Sequence, residues 1–216
     1  MTYRVLGLDP SLRRTGIAIL TDFGGITAPS VLREMGEGSD ERESYLQGNR
    51  RLRAVCANTM RIVDEYRSKI GPDNIDLAVI EGHAFSRNLP SVEDRHGLWH
   101  GLVGALDVRK IPIAIVQPST RESFITGKAS TGPTALPPDE RKALVLAEIR
   151  KLFPNNRIAN HDIADAIGLA LMGAIHLRMT MPFRLQRRHV ESVHGTAKRS
   201  GVNWPALTQP HSTARR

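Results

Sequence analysis

The sequence predicts an α/β fold in which a mixed, five-stranded sheet is covered by helices. Two observations predict this class. Three short apolar runs stand at the start of the chain, and helical and strand patterns alternate from about residue 41 onward. A meander of three strands is antiparallel, whereas strands joined through helices are parallel neighbours. Together these connections require one sheet with both kinds of pairing.

The predicted strands are short apolar runs bounded by residues typical of turns. The first run ends at Asp9 and is stopped by Pro10, and Gly16 relaxes the backbone of the turn into the second run. Pro29 favours an edge position or a bulge for the third strand. The five predicted strands cover residues 3–8, 17–20, 26–35, 75–80 and 111–116.

Helices are predicted where apolar residues recur at three- and four-residue spacing. They cover residues 41–70, 91–109, 139–153 and 158–177, and a short helical piece begins at 117–119. The loop between the short piece and the next helix, residues 126–138, is rich in Gly, Thr and Pro. Loops of this length are uncommon in compact domains and are often functional.

Length and charge predict one folded domain followed by a basic tail. The 216 residues suit a domain at 1–180 and a mostly disordered tail at 181–216, in which periodicity fades. The segment from Arg178 onward carries seven of the eight net positive charges of the chain. Such a segment either attracts a polyanion such as nucleic acid or improves solubility, and composition leaves both open.

Cysteine content and hydropathy bear on the compartment. The single cysteine, Cys56, excludes an internal disulfide framework and fits a reducing environment. The sequence contains no apolar run that approaches a membrane span and no signal-peptide pattern at its start. We therefore expect a cytoplasmic protein without a membrane partner.

Acidic residues stand where the topology predicts convergence. Asp9 follows the first strand and Glu81 follows the fourth, and a right-handed crossover between these strands brings both to the same carboxyl-terminal sheet edge. Asp162 and Asp165 share one face of the last helix, which could dock at that edge. Taken singly, Asp9 is explained as a turn cap and the helical pair as complements to the helix dipole. Their combined pattern favours a site.

Four carboxylates at one edge repel one another unless cations neutralise them. Hard oxygen ligands suit Mg²⁺ or Mn²⁺, and two such ions can activate a water and stabilise the leaving oxygen in phosphodiester hydrolysis. The sequence lacks a Cys/His arrangement with zinc spacing. We therefore predict two bound ions, with Asp9, Glu81, Asp162 and Asp165 as metal-binding and catalytic residues.

Three segments resemble, in the same order, the motifs of the RuvC-type Holliday junction resolvases. They are VLGLDPS at 5–11 with Thr15-Gly16 following, VIE at 79–81 followed by Phe85, and NHDIADAIGLA at 160–170. The resemblance spans about residues 3–178. It implies a ribonuclease H-like fold, a homodimer, and Mg²⁺-dependent nicking of four-way DNA junctions by the same four acids. The long loop and the basic tail look more like phage-encoded relatives than compact bacterial enzymes.

The chain also departs from the family pattern. Ser11 stands where the family usually has glycine, and Phe85 lies one residue later than the expected junction-stacking phenylalanine. The segment that carries a phosphate-contacting lysine in the family reads PSTRE at 118–122. We expect DNA to be held mainly through its phosphates. The predicted DNA contacts are Phe85, Arg87, Arg121, Lys128, Lys142 and the tail.

The leading prediction is a structure-specific DNA endonuclease that acts on four-way and other branched DNA in recombination, repair or phage DNA processing, in a bacterial or phage-infected cytoplasm. For its dimer contact the hypothesis is the helix bearing Leu98, Trp99, Leu102 and Leu106. An actin-like phosphotransferase or ATPase also begins with an Asp and a glycine-containing hairpin turn. However, the sequence lacks the second Asp-Gly-rich phosphate turn and the nucleotide-binding glycine segment. A non-catalytic junction-binding protein is the third interpretation, and four intact acids argue against it.

Overall fold

A computed structural model describes residues 2–38, 44–70, 75–82, 92–128, 135–197 and 199–206. Five strands form one mixed sheet with the order β3-β2-β1-β4-β5, which confirms the predicted fold class. The strands are β1 (Arg4–Asp9), β2 (Thr15–Phe23), β3 (Ile26–Met35), β4 (Leu77–Glu81) and β5 (Ile113–Val116).

The register of the sheet fixes which residues share its carboxyl-terminal edge. β2 pairs antiparallel with both β1 and β3, and Asp9 stands opposite Gly16. β1 and β4 are parallel, with Leu8 opposite Ile80. β4 and β5 are also parallel, so that Glu81 pairs with Val116. Asp9 and Glu81 therefore end neighbouring parallel strands at one edge, as the handedness of the crossover predicts.

Helices cover both faces of the sheet. They are α1 (Tyr45–Ile70), α2 (Val92–Val108), α3 (Pro118–Thr126), α4 (Pro138–Leu152), α5 (His161–His176) and α6 (Arg187–His194). α5 lies directly on one face, where every residue from 162 to 175 is buried. α3, α4 and α6 pack around it in the same apolar cluster. α1 and α2 cover the opposite face in a second apolar cluster.

The predicted dimer helix, α2, uses its leucines for its own domain. Leu98, Leu102 and Leu106 are at most 1% exposed and pack in the cluster beneath the sheet. Trp99 is half-buried, and its Nε1 donates to the backbone oxygen of Glu81 at 2.9 Å. Apolar periodicity cannot tell such a core-facing stripe from a partner-facing one. The three leucines belong to the core, and the dimer contact assigned to this helix stays a prediction.

The basic tail is folded over much of its length. α6 is followed by a short hairpin of β6 (Gly195–Thr196) and β7 (Arg199–Ser200). Val193 is fully buried, and Trp204 stacks on His176 of α5 with ring centroids 4.3 Å apart. The prediction of a mostly disordered tail is thus wrong for residues 187–197 and 199–206. Its packing depends on few apolar residues together with histidine and tryptophan rings, which a composition-based reading discounts.

Within the described ranges, none of the helices combines the length and the apolar character required to cross a bilayer.

Candidate active site

The structure brings the four predicted acids to one end of the sheet. Asp9 ends β1, Glu81 ends β4, and Asp162 and Asp165 lie in the first two turns of α5. We call these four residues the acid cluster. Their side chains are only 9–16% exposed, so the carboxylates lie largely out of solvent.

Two glycines allow α5 to reach this position. A Cβ at Gly16 of β2 would lie 2.6 Å from the carbonyl carbon of Asp162 and closer still to its oxygen. A Cβ at Gly7 of β1 would lie 2.8 Å from the backbone nitrogen of Ala170. Because real Cβ atoms essentially never approach that closely, the helix backbone rests on the strands only where they lack side chains. The glycines therefore determine how closely the start of α5, which carries Asp162 and Asp165, approaches the strands.

The start of α5 is also fixed by a capping residue. Asn160 adopts an extended conformation, and its side-chain oxygen accepts a hydrogen bond from the backbone N–H of Ile163 at 3.1 Å. The amide nitrogen of the same side chain donates to Glu34 on β3. Asn160 thus ends the preceding loop, begins the helix and ties it to the sheet.

Arg121 lies inside the acid cluster. It belongs to α3, which begins directly after β5, and it is 5% exposed. Its Nη1 contacts Oε2 of Glu81 and lies 3.8 Å from Oδ1 of Asp9, and its Nη2 lies 3.3 Å from Oδ1 of Asp165. One guanidinium therefore meets carboxylates from β1, β4 and α5.

The sequence predicts Arg121 as a DNA contact, whereas the structure places its side chain among buried carboxylates and not on the exposed surface. Its position follows from the sheet register: β5 ends at Val116 beside Glu81, and Arg121 comes one turn into the helix that follows. A basic residue shortly after a parallel strand that borders an acidic strand end is the signal that could have placed it.

Burial dominates the electrostatics of the acid cluster. It raises the pKa of Asp9 and raises that of Glu81 well above the ordinary value, although Arg121 pulls both down. Burial raises the pKa of Asp165 to about 7, against the same opposing effect of Arg121. Burial alone would lower the pKa of Arg121, but the surrounding carboxylates raise it above its ordinary value. Arg121 therefore stays charged while the acids are poised to bind a proton or a cation.

The donor set fits a hard divalent cation. Oδ2 of Asp162 and Oδ1 of Asp165 are buried and accept no hydrogen bond from the described residues, although Oδ1 of Asp165 makes the 3.3 Å ion pair with Arg121. Buried carboxylate oxygens of this kind are ligands that Mg²⁺ and Mn²⁺ prefer. In the described ranges, however, no three acidic, histidine or cysteine side chains are already grouped as a metal centre. The guanidinium of Arg121 occupies the space between the carboxylates.

The other predicted contacts are placed as follows. Lys142 is exposed on α4, and its charge lowers the pKa of Asp9, so it lies near the mouth of the site. Lys128 is exposed just beyond the carboxyl end of α3. Phe85 and Arg87 lie outside the described residues. His161, which the sequence did not assign to the site, has its Nε2 3.4 Å from Oδ1 of Asp162.

Comparison with known proteins agrees with this arrangement. No family model matches the chain. Crossover junction endodeoxyribonuclease RuvC from Paenarthrobacter aurescens is 26% identical over 174 residues, which cover 81% of this chain and 82% of that protein. The RuvC protein of Acidiphilium cryptum is 27% identical over 174 residues, covering 81% and 92%.

Solved structures of similar fold include two of Thermus thermophilus RuvC. One is in complex with a Holliday junction substrate and matches with a TM-score of 0.60 at 14% identity, covering 82% of this chain and 95% of that chain. The other matches with a TM-score of 0.59 at 15% identity, covering 81% and 95%.

The sheet order and the helix placement match the fold class of the ribonuclease H-like resolvases. Within that class, the similarity to RuvC sequences over four-fifths of the chain, together with the shared fold, supports a RuvC-type Holliday junction resolvase. This confirms the resemblance that the three sequence motifs indicated.

Proposed function

We propose that this protein is a metal-dependent endonuclease that resolves four-way DNA junctions, a crossover junction endodeoxyribonuclease. The observation that carries the proposal is the convergence of the acid cluster from three separate elements. Asp9, Glu81 and Asp165 meet at one guanidinium, and Asp162 is close enough to raise the pKa of Asp9 and of Asp165. A fold gains nothing in stability from gathering four buried carboxylates, so their convergence favours a catalytic role.

The residues of the site have distinct tasks in this proposal. Asp9, Glu81, Asp162 and Asp165 would hold two Mg²⁺ or Mn²⁺ ions. When bound, the ions supply positive charge that activates a water and stabilises the leaving oxygen. The strand ends and the capped first turn of α5 keep the carboxylates in fixed positions, which reduces reorganisation during the reaction. Lys142, at the mouth of the site, would attract the phosphate backbone toward the acids.

DNA binding would extend beyond the acid cluster. Lys128, Lys142, Arg87 and the basic tail would contact phosphates, and Phe85 would stack at the branch point. A four-way junction must be cut on two strands to be resolved, so we propose a homodimer that presents two acid clusters. Because its substrates would be recombining or phage DNA, we place the protein in the cytoplasm of a bacterium or an infected host.

Asp9→Asn tests the proposal directly. We expect this substitution to abolish Mg²⁺-dependent nicking of a synthetic four-way junction, because it removes a charged ligand while keeping the shape of the side chain. Junction binding in Ca²⁺ or EDTA should survive. Asp107→Asn, at an exposed position near the end of α2, is the matched control and should cleave like the wild type.

The same assay separates the alternatives when three-way and linear duplexes are included, with and without Mg²⁺. Wild-type-like cleavage by Asp9→Asn would remove the role of the acid cluster in catalysis. Tight junction binding without nicking in either Mg²⁺ or Mn²⁺ would indicate a non-catalytic junction-binding protein. ATP hydrolysis without nicking would indicate the actin-like alternative.

A further inference from the structure

We propose that Arg121 is an internal competitor of the divalent cation. Its one positive charge is shared by Asp9, Glu81 and Asp165 in the metal-free protein, and it has to leave them when the cation binds. The inference rests on the proposed function only in taking a divalent cation as the ligand of the acid cluster. It assigns Arg121 the role of a positioning residue, which acts through the carboxylates and not through DNA.

The geometry makes the two cations mutually exclusive. The guanidinium engages Oε2 of Glu81 through Nη1, which also lies 3.8 Å from Oδ1 of Asp9, while Nη2 lies 3.3 Å from Oδ1 of Asp165. Mg²⁺ binds carboxylate oxygens at about 2.0–2.1 Å. An ion that bridges these oxygens at that distance would need the space between them, which the guanidinium nitrogens occupy. The carboxylates can therefore bind either cation, but not both at once.

Arg121 cannot yield by losing its proton. An arginine stays charged at any ordinary pH, and the neighbouring carboxylates reinforce this. The side chain has to move, and its attachment permits that movement. Its Nε is buried and has no hydrogen-bond partner among the described residues, so the guanidinium is held through its two terminal nitrogens. The contacts that hold it are the ones a divalent cation would replace.

The backbone of α3 is fixed independently of the acid cluster. Phe124 and Ile125, in the last turn of α3, are at most 4% exposed. Their carbonyl oxygens accept from Arg188 of α6, with Phe124 O bonded to Nε at 3.3 Å and Ile125 O to Nη2 at 3.4 Å. Because α6 holds the helix from its far end, exchange of the cations requires only that the Arg121 side chain move.

This role predicts two effects of opposite sign. Removing Arg121 leaves buried carboxylates without a counter-charge, so the metal-free protein should lose stability. The same change removes a competitor, so the affinity for a divalent cation should rise. An arginine that merely supported the fold would give the first effect without the second.

The experiment compares the wild type with Arg121→Met by calorimetric titration with Mn²⁺ in the absence of DNA. We expect Mn²⁺ to bind the variant roughly tenfold more tightly. In EDTA the melting temperature of the variant should be roughly 10 °C below that of the wild type. Mn²⁺ should raise the melting temperature of the variant by more than it raises that of the wild type. Arg51→Met is the control, because Arg51 is also buried and pairs with Asp94 at 3.3 Å. It should lose stability and keep the wild-type affinity for Mn²⁺.

Equal or weaker Mn²⁺ binding by Arg121→Met would overturn the proposal. If that variant does not fold in EDTA, Arg121→Lys gives the same test, because a lysine cannot bridge three carboxylates. It should then bind Mn²⁺ severalfold more tightly than the wild type, and an unchanged affinity would overturn the proposal. Junction nicking by the wild type is measured separately. Its absence would overturn the proposed function, whereas normal nicking with unchanged Mn²⁺ affinity would overturn only the role of Arg121.

Discussion

Substituting Gly16 by alanine should damage both stability and activity, because this position sets the contact between β2 and α5. The added Cβ would lie 2.6 Å from the carbonyl carbon of Asp162. Carbon atoms pack best at about 3.5–4.0 Å, so the first turn of the helix would have to move by roughly 1 Å. The two nearest atoms, the carbonyl carbon and oxygen of Asp162, belong to the backbone, so neither can rotate away as a side chain could.

The size of each effect follows from this displacement. Overpacking in a closed core costs about 1–3 kcal/mol, and a backbone-to-backbone clash belongs at the upper end. A loss of about 3 kcal/mol lowers the melting temperature of a chain of this size by roughly 6–12 °C. The displaced turn carries Asp162 and leads to Asp165. Since misplacement of catalytic groups by about 1 Å can cost about 100-fold in rate, we expect a loss of that order in junction cleavage.

Gly104→Ala provides the matched control. Gly104 is exposed in α2, and a Cβ there would meet nothing within 4 Å. Alanine is the better helix former, so this variant should gain up to about 1 kcal/mol and cleave normally. Thermal unfolding and junction cleavage are measured on both variants. A Gly16→Ala protein with the melting temperature and the cleavage rate of the wild type would refute the reasoning about how α5 docks.

Three further predictions concern the supports around the site. Asn160→Ala should lower the free energy of unfolding in urea by about 1 kcal/mol, because the cap on the N–H of Ile163 is lost, whereas Asn160→Ser should retain most of it. Burial lowers the pKa of His189 to about 4 from its ordinary 6.5. The unfolded chain therefore binds a proton first as the pH falls, and this part of the stability, complete above pH 6.5, is lost between pH 6.5 and about 4. His189→Leu should make the melting temperature less dependent on pH across that interval. Trp204→Ala should cost about 2 kcal/mol in urea unfolding, because the half-buried ring loses its stack on His176.

Each of these measurements has a contradicting outcome. Equal stability of the alanine and serine variants at Asn160 would mean that the cap contributes nothing. An unchanged pH profile in His189→Leu would exclude His189 as a source of acid sensitivity. A Trp204→Ala protein as stable as the wild type would mean that the segment after α6 does not support the domain.

The arrangement of the sheet could be predicted from the sequence because it depends on local signals and on one chirality rule. Pro10 and Gly16 mark the turn after β1, and the apolar runs mark the strands. The right-handed crossover then places Glu81 beside Asp9 without any knowledge of side-chain packing. The spacing of Asp162 and Asp165 similarly gives them a common helix face.

The orientation of α2 and the folding of the tail could not be predicted, because both depend on packing and not on local signals. Whether the leucines of α2 face the core or a partner depends on how the helix is rotated against the sheet, which periodicity leaves open. The fold of the tail depends on Trp204 finding His176 and on His189 packing between Phe124 and Phe183. Such contacts between residues distant in sequence have no local pattern, and a segment rich in charge and glycine is read as disordered.

The position of Arg121 depends both on the sheet register, which local signals predict, and on contacts with residues distant in sequence. Its charge explains how the fold tolerates the acid cluster. Burial raises the pKa of Asp9, Glu81 and Asp165, which favours protonated acids that bind metal poorly. The guanidinium opposes this effect at all three, so they keep more of their negative charge than burial alone would allow. A proton bound in its place would have to be released before a metal could bind, whereas a guanidinium only has to move aside. A permanent cation among the carboxylates therefore keeps them more ionised than burial alone would, at the expense of competing with the ion that they are arranged to bind.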